Sequence, residues 1–405
     1  MATDRLYYSQ QTLQSFDATV LRTEVRGDDL AVWLDRTAFY PTSGGQPHDL
    51  GTLGGLAIVS VDDDEAGDVV HTVRGTTLPS GAVVQGDIDW RRRHDHMQQH
   101  TGQHLLSAVI EHAHGAKTIS FHLGTESSTI DIDRELTPSQ LAEIERAANR
   151  VIWDDVPVSV RTVSEDEARA LPLRKESART GALRLVNITG VDLSACGGTH
   201  VERSGGIGQL VLDGWERFKG GQRLSFLCGA RALTRFQLLR DMSAASIRLL
   251  SVLPADLPSA IERLQAGLKE QKRTTTMLQG ELAVQQARAL VAEAERTPVA
   301  AFVLRAVDGD VAQLKMLASA VVSSPGVVAV LVSASTPALA IAARASDVTA
   351  VSCQELIGAV ATHFGGRGGG RPDLAQCGNL QASADDVLAF VRGALSSVGL
   401  PASLA

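Results

Sequence analysis

Two short motifs of histidine and cysteine constrain the fold of this chain more than any other feature. The motif HTGQH places His100 and His104 four positions apart, and CGGTH repeats that spacing with Cys196 and His200. Side chains four positions apart lie on one face of a helix, so the first pair can reach the same ion. In the second motif, the two glycines allow the backbone to curl around that ion.

Together the two motifs supply three imidazoles and one thiolate, a ligand set suited to tetrahedral zinc. The chain advances by 92 residues from His104 to Cys196, whereas the two halves of a zinc finger are close in sequence. We therefore predict one zinc ion that joins distant parts of a single domain. A metalloprotease is disfavoured, because its general-base glutamate would stand where Thr101 is found.

The alternative for the first motif is an incidental pair of histidines, since an isolated H-x-x-x-H is common in long chains. The neighbouring sequence offers further pairs through His94, His96, His112 and His114. Only the second motif, with the same spacing and a thiolate, selects His100 and His104 from among them.

Composition limits the classes of protein that the chain can belong to. Its 405 residues are 44% hydrophobic and 21% charged, with a formal net charge of -8, so any contact with nucleic acid needs a local basic patch. The four cysteines are far apart, which is typical of a reducing compartment rather than a disulfide scaffold. The start of the chain does not have the pattern of a signal peptide, and nowhere do about 18 apolar residues follow one another. We predict a soluble, cytoplasmic protein.

The pattern of apolar residues predicts an α+β fold. Short β-branched runs separated by Gly and Asp turns predict an N-terminal β-barrel-like module over residues 1–89. A zinc-containing α+β domain is expected over residues 90–228. It would begin with a helix from Trp90 that ends at Gly115, continue with short strands, and include a second helix that starts at Thr137.

The second half of the chain is predicted to contain two further parts. Residues 229–296 would form a helical hairpin or a short coiled coil, and the alternative is an ordinary linker helix packed on its own domain. Residues 297–405 alternate Val/Ala-rich runs with helical segments, as a small α/β domain does, and include one glycine-rich loop, FGGRGGGRPDLAQCGN. The spaced apolar residues of the helical part are Ile261, Leu264, Leu268, Leu278 and Leu282.

Over residues 5–230 the sequence resembles the editing domain of alanyl-tRNA synthetase and the free-standing AlaX family of alanyl-tRNA editing proteins. Beyond that range it resembles the DHH-associated C-terminal domain of the synthetase and of longer AlaX proteins. One departure is Ser43, which stands where the family more usually has the first glycine of G-G-G-Q. The runs that carry the resemblance are LYYSQ, DRTAFYPTSGGQPHDLGTL, DHMQQHTGQHLLSA, SFHLG, CGGTHVERSGGIG, RLSFLCGARAL and GGRGGGRPDLAQCGN.

The resemblance implies an enzyme that hydrolyses the ester joining serine or glycine to tRNA for alanine, acting in trans and depending on zinc. A pocket shaped for alanine excludes glycine and serine poorly, so a second, hydrolytic site is needed. The synthetase carries an aminoacylation domain before its editing domain, and this chain begins at the editing module, so we expect no tRNA charging. The alternatives are a threonyl-type editing specificity and a non-catalytic tRNA-binding protein with structural zinc.

Three residues outside the ligand set are candidates for the reaction. The resemblance implies that the Thr37 hydroxyl contacts the hydroxyl of the misplaced serine. Gln46, which follows two glycines, and His122 are candidate orienting groups. The alternatives are that Thr37 only packs in a strand and that Gln46 and His122 cap turns.

Two arginine clusters are candidates for contact with tRNA phosphates. The first cluster, just before the proposed zinc ligands, contains Arg91, Arg92 and Arg93, and the alternative is a solvated start of a helix. In the second cluster, Arg367 and Arg371 flank three glycines, and the alternative is a structural turn. A nucleotide P-loop is disfavoured there because its G-K-[ST] ending is missing. The expected partners are mischarged tRNA for alanine and a second copy bound through the C-terminal region.

Overall fold

Six antiparallel strands close into a barrel near the start of the chain. The structure is a computed structural model that describes residues 3–175 and 181–398. In chain order the first strands are β1 (Asp4–Arg5), β2 (Ser15–Arg26), β3 (Asp29–Leu34), β4 (Arg36–Thr37), β5 (Gly51–Leu53), β6 (Leu56–Asp63), β7 (Val69–Arg74) and β8 (Val83–Ile88). The barrel order is β2-β3-β7-β6-β5-β8. The predicted β-rich start of the chain is therefore a closed barrel.

Alternation of side chains explains how this barrel fills its interior. In β2, Phe16, Ala18 and Val20 are buried while Ser15 and Asp17 are exposed, as expected for a strand with one face on a core. The inward-facing side chains of all six strands form one apolar cluster.

A mixed set of helices and strands follows the barrel and belongs with it to one compact unit, Met1–Ser246. The strands form two sheets, with orders β14-β15-β10-β9 and β11-β12-β13, and all of their neighbouring pairs are antiparallel. The elements are α1 (Trp90–His114), β9 (Thr118–Leu123), β10 (Ser128–Ile132), α2 (Pro138–Trp153), β11 (Val158–Val163), α3 (Glu165–Arg169), β12 (Leu183–Ile188), β13 (Asp192–Ala195), β14 (Leu210–Phe218) and β15 (Gly221–Cys228).

Helix α1 carries the first histidine motif through the interior of this unit. Asp89 caps its start by accepting a hydrogen bond from the Arg92 backbone, and Gly115 ends it in the left-handed conformation, as predicted. Every residue from His96 to Ile110 is buried. Because apolar and polar side chains are both buried over four turns, the polar ones need specific partners, and those partners fix the position of the histidines.

The second unit, Ile247–Ala405, contains a six-stranded mixed sheet with order β16-β17-β18-β19-β21-β20. Only β17 and β18 are parallel among its pairs in the described ranges, and the predicted small α/β domain lies here. Its elements are α5 (Leu257–Ala292), β16 (Glu295–Arg296), β17 (Ala301–Val307), α6 (Val311–Val321), β18 (Val327–Ser333), β19 (Ala338–Arg344), α7 (Cys353–Phe364), β20 (Arg367–Arg371), β21 (Leu374–Leu380) and α8 (Ala384–Ala394).

The stretch predicted as a helical hairpin or coiled coil is helical. It contains α4 (Ala230–Leu250) and α5, and the boundary between the two units falls within α4. The spaced apolar residues of α5, from Ile261 to Leu282, are 42–59% exposed, while Ala283 and Ala287 near its end pack on the core of the second unit. Of the helices described, none taken singly is long and apolar enough to span a bilayer; a bent pair, Gly229–Leu250 with Pro254–Ala292, passes by length and composition alone.

The prediction of a glycine-rich loop is wrong, because most of its residues form the edge strand β20 and part of β21. A side-chain carbon on Gly368 would lie 2.1 Å from the Gln376 carbonyl oxygen, so glycine is what allows the two strands to approach. Arg367 and Arg371 stand exposed at the two ends of β20, and Arg371 pairs with Asp373 at 3.1 Å. Contact of these two arginines with tRNA stays a prediction.

The prediction that Arg93 contacts phosphate is also wrong. Its guanidinium is fully buried in an ion pair with Asp49, whose side chain is equally buried. Arg93 also donates to the backbone carbonyls of Gln11 and Ala38, and Asp49 accepts from the Tyr40 backbone at 2.7 Å. The pair therefore joins the start of α1 to the loops of the barrel, and no part of the guanidinium reaches solvent.

We predict that Arg93→Met lowers the free energy of unfolding of the first unit by about 3–5 kcal/mol, because it leaves the Asp49 charge buried without a partner. All four tryptophans lie in that unit, so urea unfolding followed by tryptophan fluorescence reports on it alone. The matched control is Arg91→Met at an exposed neighbouring position, expected to change stability by about 0.5 kcal/mol or less. Equal losses in the two variants would contradict the structural role of Arg93.

Candidate metal centre

The four predicted ligands come together in the structure. One ligand atom from each of His100, His104, Cys196 and His200 lies within 4.8 Å of the others. The Cys196 Sγ is 3.4 Å from His100 Nε2 and 3.3 Å from His200 Nε2. Nitrogen and sulfur ligands of one tetrahedral zinc ion are separated by about 3.5 Å, so the spacing suits a shared ion.

Two elements bring these ligands together. Helix α1 presents His100 and His104, and the turn after β13 presents Cys196 and His200. Arg184 holds that turn by donating to the carbonyls of Cys196 at 2.7 Å and of Gly198 at 2.9 Å.

Gly198 allows the turn to approach α1 closely. A side-chain carbon there would lie 2.1 Å from the Cε1 atom of His100, so a larger residue would displace the imidazole. The glycine of the second motif is therefore required by packing against the first motif.

A hydrogen bond at Nδ1 fixes the orientation of each of the three imidazoles. An Nδ1 atom that is hydrogen-bonded to a fixed partner leaves Nε2 as the atom that faces the ion, as in most histidine metal sites. The three Nδ1 contacts are His100 with Gln46 Oε1 at 2.8 Å, His104 with Asp192 Oδ2 at 2.8 Å and His200 with Thr101 Oγ1 at 3.2 Å.

Gln46 is thus placed against a candidate ligand, and its role in the reaction stays a prediction. It is buried, and its amide also bonds the Thr199 hydroxyl at 2.9 Å. Gly44 and Gly45 precede it with φ of +54° and +80°, a turn conformation that favours glycine. Ser43 lies before these positions, so the departure from G-G-G-Q leaves the glycines of the turn in place.

Asp192 is an orienting residue that the sequence analysis missed. Its buried carboxylate accepts from Arg174 Nε at 2.6 Å and from the Ser194 hydroxyl at 2.9 Å, in addition to contacting His104. Burial favours the neutral acid, but His104 and Arg174 outweigh it and lower the pKa of Asp192 to about 2. The only signal in the sequence is a lone aspartate four positions before Cys196, which is not specific.

The cluster is electrostatically prepared for a cation. Burial alone favours the neutral thiol, yet the imidazoles of His100, His200 and His104 lower the pKa of Cys196 well below its ordinary value. Burial likewise opposes protonation of His104, but the Cys196 thiolate and Asp192 raise the pKa of His104 to about 9. Without an ion the thiolate is therefore balanced by a proton on His104, which metal binding displaces.

The remaining candidates lie outside this cluster. Thr37 is fully buried; its hydroxyl pairs with His71 Nε2 at 2.8 Å and accepts from the Phe39 backbone at 3.1 Å. Contact of Thr37 with a serine hydroxyl stays a prediction. His122 is exposed on β9, opposite Thr129 of β10, and its orienting role also stays a prediction.

Arg91 and Arg92 lie in the first turn of α1. Arg91 is exposed, and Arg92 is half-buried with its Nε donating to the His48 carbonyl at 3.0 Å. Their predicted contact with tRNA phosphates stays a prediction.

The residues present fit zinc. The donors are three imidazole nitrogens and one thiolate, all able to reach one point, and each imidazole has a fixed tautomer set by a partner. The ligands that would hold the ion are His100, His104, Cys196 and His200.

Comparisons with known proteins match both halves of the chain. The "Threonyl and Alanyl tRNA synthetase second additional domain" matches residues 183–225, and the "DHHA1 domain" matches residues 297–397. The alanyl-tRNA editing protein AlaX-L of Pyrococcus horikoshii is 33% identical over 275 residues, which cover 66% of this chain and 67% of that protein. The alanyl-tRNA editing protein Aarsd1-A of Xenopus laevis is 34% identical over 270 residues, 65% of each chain.

Alanine–tRNA ligases match over a longer part of this chain but a smaller part of their own. The ligase of Pyrococcus abyssi is 32% identical over 387 residues, which cover 92% of this chain and 42% of the ligase. This chain therefore spans less than half the length of that relative. The crystal structure of the C-Ala domain from Aquifex aeolicus alanyl-tRNA synthetase is 21% identical and covers 24% of this chain and 96% of its own, with a TM-score of 0.22, too low to support an inference.

The matches to these two domains and to the alanyl-tRNA editing relatives together place the chain in the class of alanyl-tRNA synthetases and editing proteins. Within that class, the identity and coverage shared with AlaX-L show that the chain belongs to the AlaX family of alanyl-tRNA editing proteins.

We predict that Cys196→Ala weakens zinc binding, because the three imidazoles that remain have lost the anionic ligand of the set. Metal analysis of the purified full chain after dialysis against a competing chelator should give about one zinc per wild-type chain and clearly less for the variant. Cys353→Ala, which changes a buried cysteine in the second unit, should keep its zinc. Equal zinc retention by Cys196→Ala and the wild-type chain against the same chelator would exclude Cys196 as a ligand.

Proposed function

We propose that this chain is a zinc-dependent deacylase that acts in trans on mischarged tRNA for alanine, hydrolysing the seryl and glycyl esters. The observation that carries the proposal is the cluster of four donors in which every imidazole is oriented by a partner. Membership of the AlaX family and the names of its relatives, which are alanyl-tRNA editing proteins, support the choice of substrate.

Hydrolysis of the ester is faster when a Lewis acid polarises its carbonyl group. A bound zinc ion supplies Lewis-acid polarisation of an ester carbonyl. His100, His104 and His200 are buried while Cys196 is half-buried, so solvent and substrate approach from the side of the cysteine. Gln46 and Asp192 keep the imidazoles oriented during the reaction.

The non-catalytic alternative has one observation in its favour. Four protein donors complete a tetrahedral shell, which is typical of structural zinc, whereas a catalytic site usually keeps a position open. In that case the chain would bind tRNA without hydrolysing it. For this reason the test must measure ester loss and zinc content in the same preparation.

Preference for serine and glycine over alanine is the finer part of the proposal. An aminoacylation site shaped for alanine does not strongly exclude serine or glycine. The esters that it forms with these two amino acids therefore have to be hydrolysed afterwards. The alanyl names of the relatives favour tRNA for alanine over a threonyl-type specificity.

The proposal extends to the cellular location of the protein and to its assembly into a homodimer. We place the protein in the cytoplasm, where charged tRNA is used, and propose a homodimer through the C-terminal half. The exposed apolar residues of α5, including Leu264 and Leu268, support a dimer because water contacts them in the single chain.

We predict that the full chain hydrolyses seryl- and glycyl-tRNA for alanine at least about tenfold faster than alanyl-tRNA. The measurement is loss of labelled amino acid from each ester, with the zinc-to-protein ratio determined on the same sample. Removing zinc with a chelator should abolish hydrolysis and restoring it should recover the rate, with Cys353→Ala as the unaffected control. If all three esters survive at stoichiometric, zinc-loaded protein, the deacylase is excluded and the tRNA-binding alternative gains.

A further inference from the structure

A short segment before the barrel contacts the turn that carries two of the four candidate ligands. Leu6–Tyr8 form one 3₁₀ turn in this segment, and Gln11 follows it. Thr12, the next residue, donates to Glu202 just past the turn at 3.4 Å. The segment therefore lies along the turn, yet none of its residues has a role in the chemistry proposed for the site.

The side-chain oxygen of Gln11 is bonded to both ends of the cysteine turn. Gln11 Oε1 accepts from the His200 backbone N–H at 2.7 Å and from Arg184 Nη2 at 3.1 Å. The same guanidinium donates through Nη1 to the carbonyls of Cys196 at 2.7 Å and of Gly198 at 2.9 Å. One oxygen atom thus holds the last residue of the turn directly and the first residue through one arginine.

The chemistry of its partners fixes the orientation of the Gln11 amide. A backbone N–H and a guanidinium are both donors, so the amide oxygen faces them and the amide nitrogen points away. The property that the turn requires at position 11 is therefore a hydrogen-bond acceptor. Glutamate supplies one in the same shape, whereas methionine has a similar length and only a weakly accepting sulfur.

The backbone carbonyl of Gln11 is bonded to the other half of the metal centre. It accepts from Arg93 Nη1 at 2.9 Å. Arg93 lies on α1 seven positions before His100, which is about two helical turns or about 10 Å along the axis. Because the Arg93 guanidinium is buried in its ion pair with Asp49, this contact ties Gln11 to a fixed point on α1.

The metal centre needs such a connection because its donors come from two separate elements. Helix α1 supplies two imidazoles, and the turn supplies one imidazole and the thiolate. Gln46 links the two elements at the middle of the turn, where it bonds Thr199 as well as His100. Gln11 links them at the two ends of the turn, which are the ligands themselves.

We propose that Gln11 is a positioning residue of the metal centre. Its side-chain oxygen holds the cysteine turn at the distance from α1 that lets all four donors reach one ion. The effect on metal affinity rests only on the four donors, and any effect on ester hydrolysis rests on the proposed function.

The test is the zinc affinity of the full chain, measured by competition with a chelator whose absorbance reports free zinc. Gln11→Met should weaken zinc binding about tenfold, as loss of a group that orients metal ligands does. Gln11→Glu keeps the acceptor and should bind zinc at least as tightly as the wild-type chain. Gln10→Met makes the same change at an exposed neighbour and should leave the affinity unchanged.

Two outcomes of this competition would overturn the proposal. One is equal zinc affinity in Gln11→Met and Gln10→Met. The other is a loss in Gln11→Glu as large as that in Gln11→Met, since the acceptor would then not be what matters. A role in folding alone would destabilise the zinc-free and zinc-bound chains equally, and the zinc affinity would not change.

A measurement on the wild-type chain keeps the proposal testable if Gln11→Met fails to fold. Labelling threonine with ¹³C at the carbonyl and histidine with ¹⁵N selects the amides of two Thr-His pairs, which are those of His200 and His363. In the zinc-loaded chain the His200 amide should exchange with deuterium at least about tenfold more slowly than in an unfolded peptide. Exchange as fast as in the peptide would overturn the bond to Gln11.

Neither measurement uses an ester, so the result is independent of hydrolysis. If Gln11→Met loses zinc affinity and Gln11→Glu keeps it while the wild-type chain leaves seryl esters intact, the deacylase is excluded and the positioning role stands. If the wild-type chain hydrolyses the esters and Gln11→Met binds zinc as tightly as the wild type, the deacylase stands and the positioning role is overturned.

Discussion

The hydrogen bonds to the second nitrogens of three histidines are the interactions on which the rest of the site depends. Gln46, Asp192 and Thr101 each bond one Nδ1, and as a result three Nε2 atoms converge on the Cys196 thiolate. Without these partners the imidazoles could rotate, and four correctly placed residues would still fail to share an ion. The partners come from a turn near the barrel, from a strand and from α1 itself, so the tertiary fold determines the ligand geometry.

Two arginines, the buried Arg93 and the half-buried Arg184, connect the segments that supply those partners. Arg93 pairs with Asp49 and bonds carbonyls before and within the barrel region, which fixes the start of α1 relative to the turn that carries Gln46. Arg184 bonds the carbonyls of the cysteine turn and the side chain of Gln11. A buried charge is costly without a partner, so each arginine strongly favours one arrangement of the segments around it.

The sequence predicts the parts of the site that depend on local spacing and leaves out those that depend on tertiary contacts. The motif spacings, the helix end at Gly115 and the glycine turn before Gln46 are local properties of the chain. Asp192 could not be distinguished from other aspartates, because only folding brings it to His104. Arg93 was misjudged because three adjacent arginines look alike in sequence, yet only one faces the interior. The strand at Arg367–Arg371 was taken for a loop because strand glycines are unusual unless another backbone lies close.

The central claim is that three imidazoles and one thiolate share a single zinc ion. X-ray absorption at the zinc K-edge of the full chain tests it most directly, since it counts the ligand atoms and measures their distances. If they share the ion, the spectrum should show three nitrogen ligands at about 2.0–2.1 Å and one sulfur at about 2.3 Å. A shell without sulfur, or with two sulfurs, would contradict it.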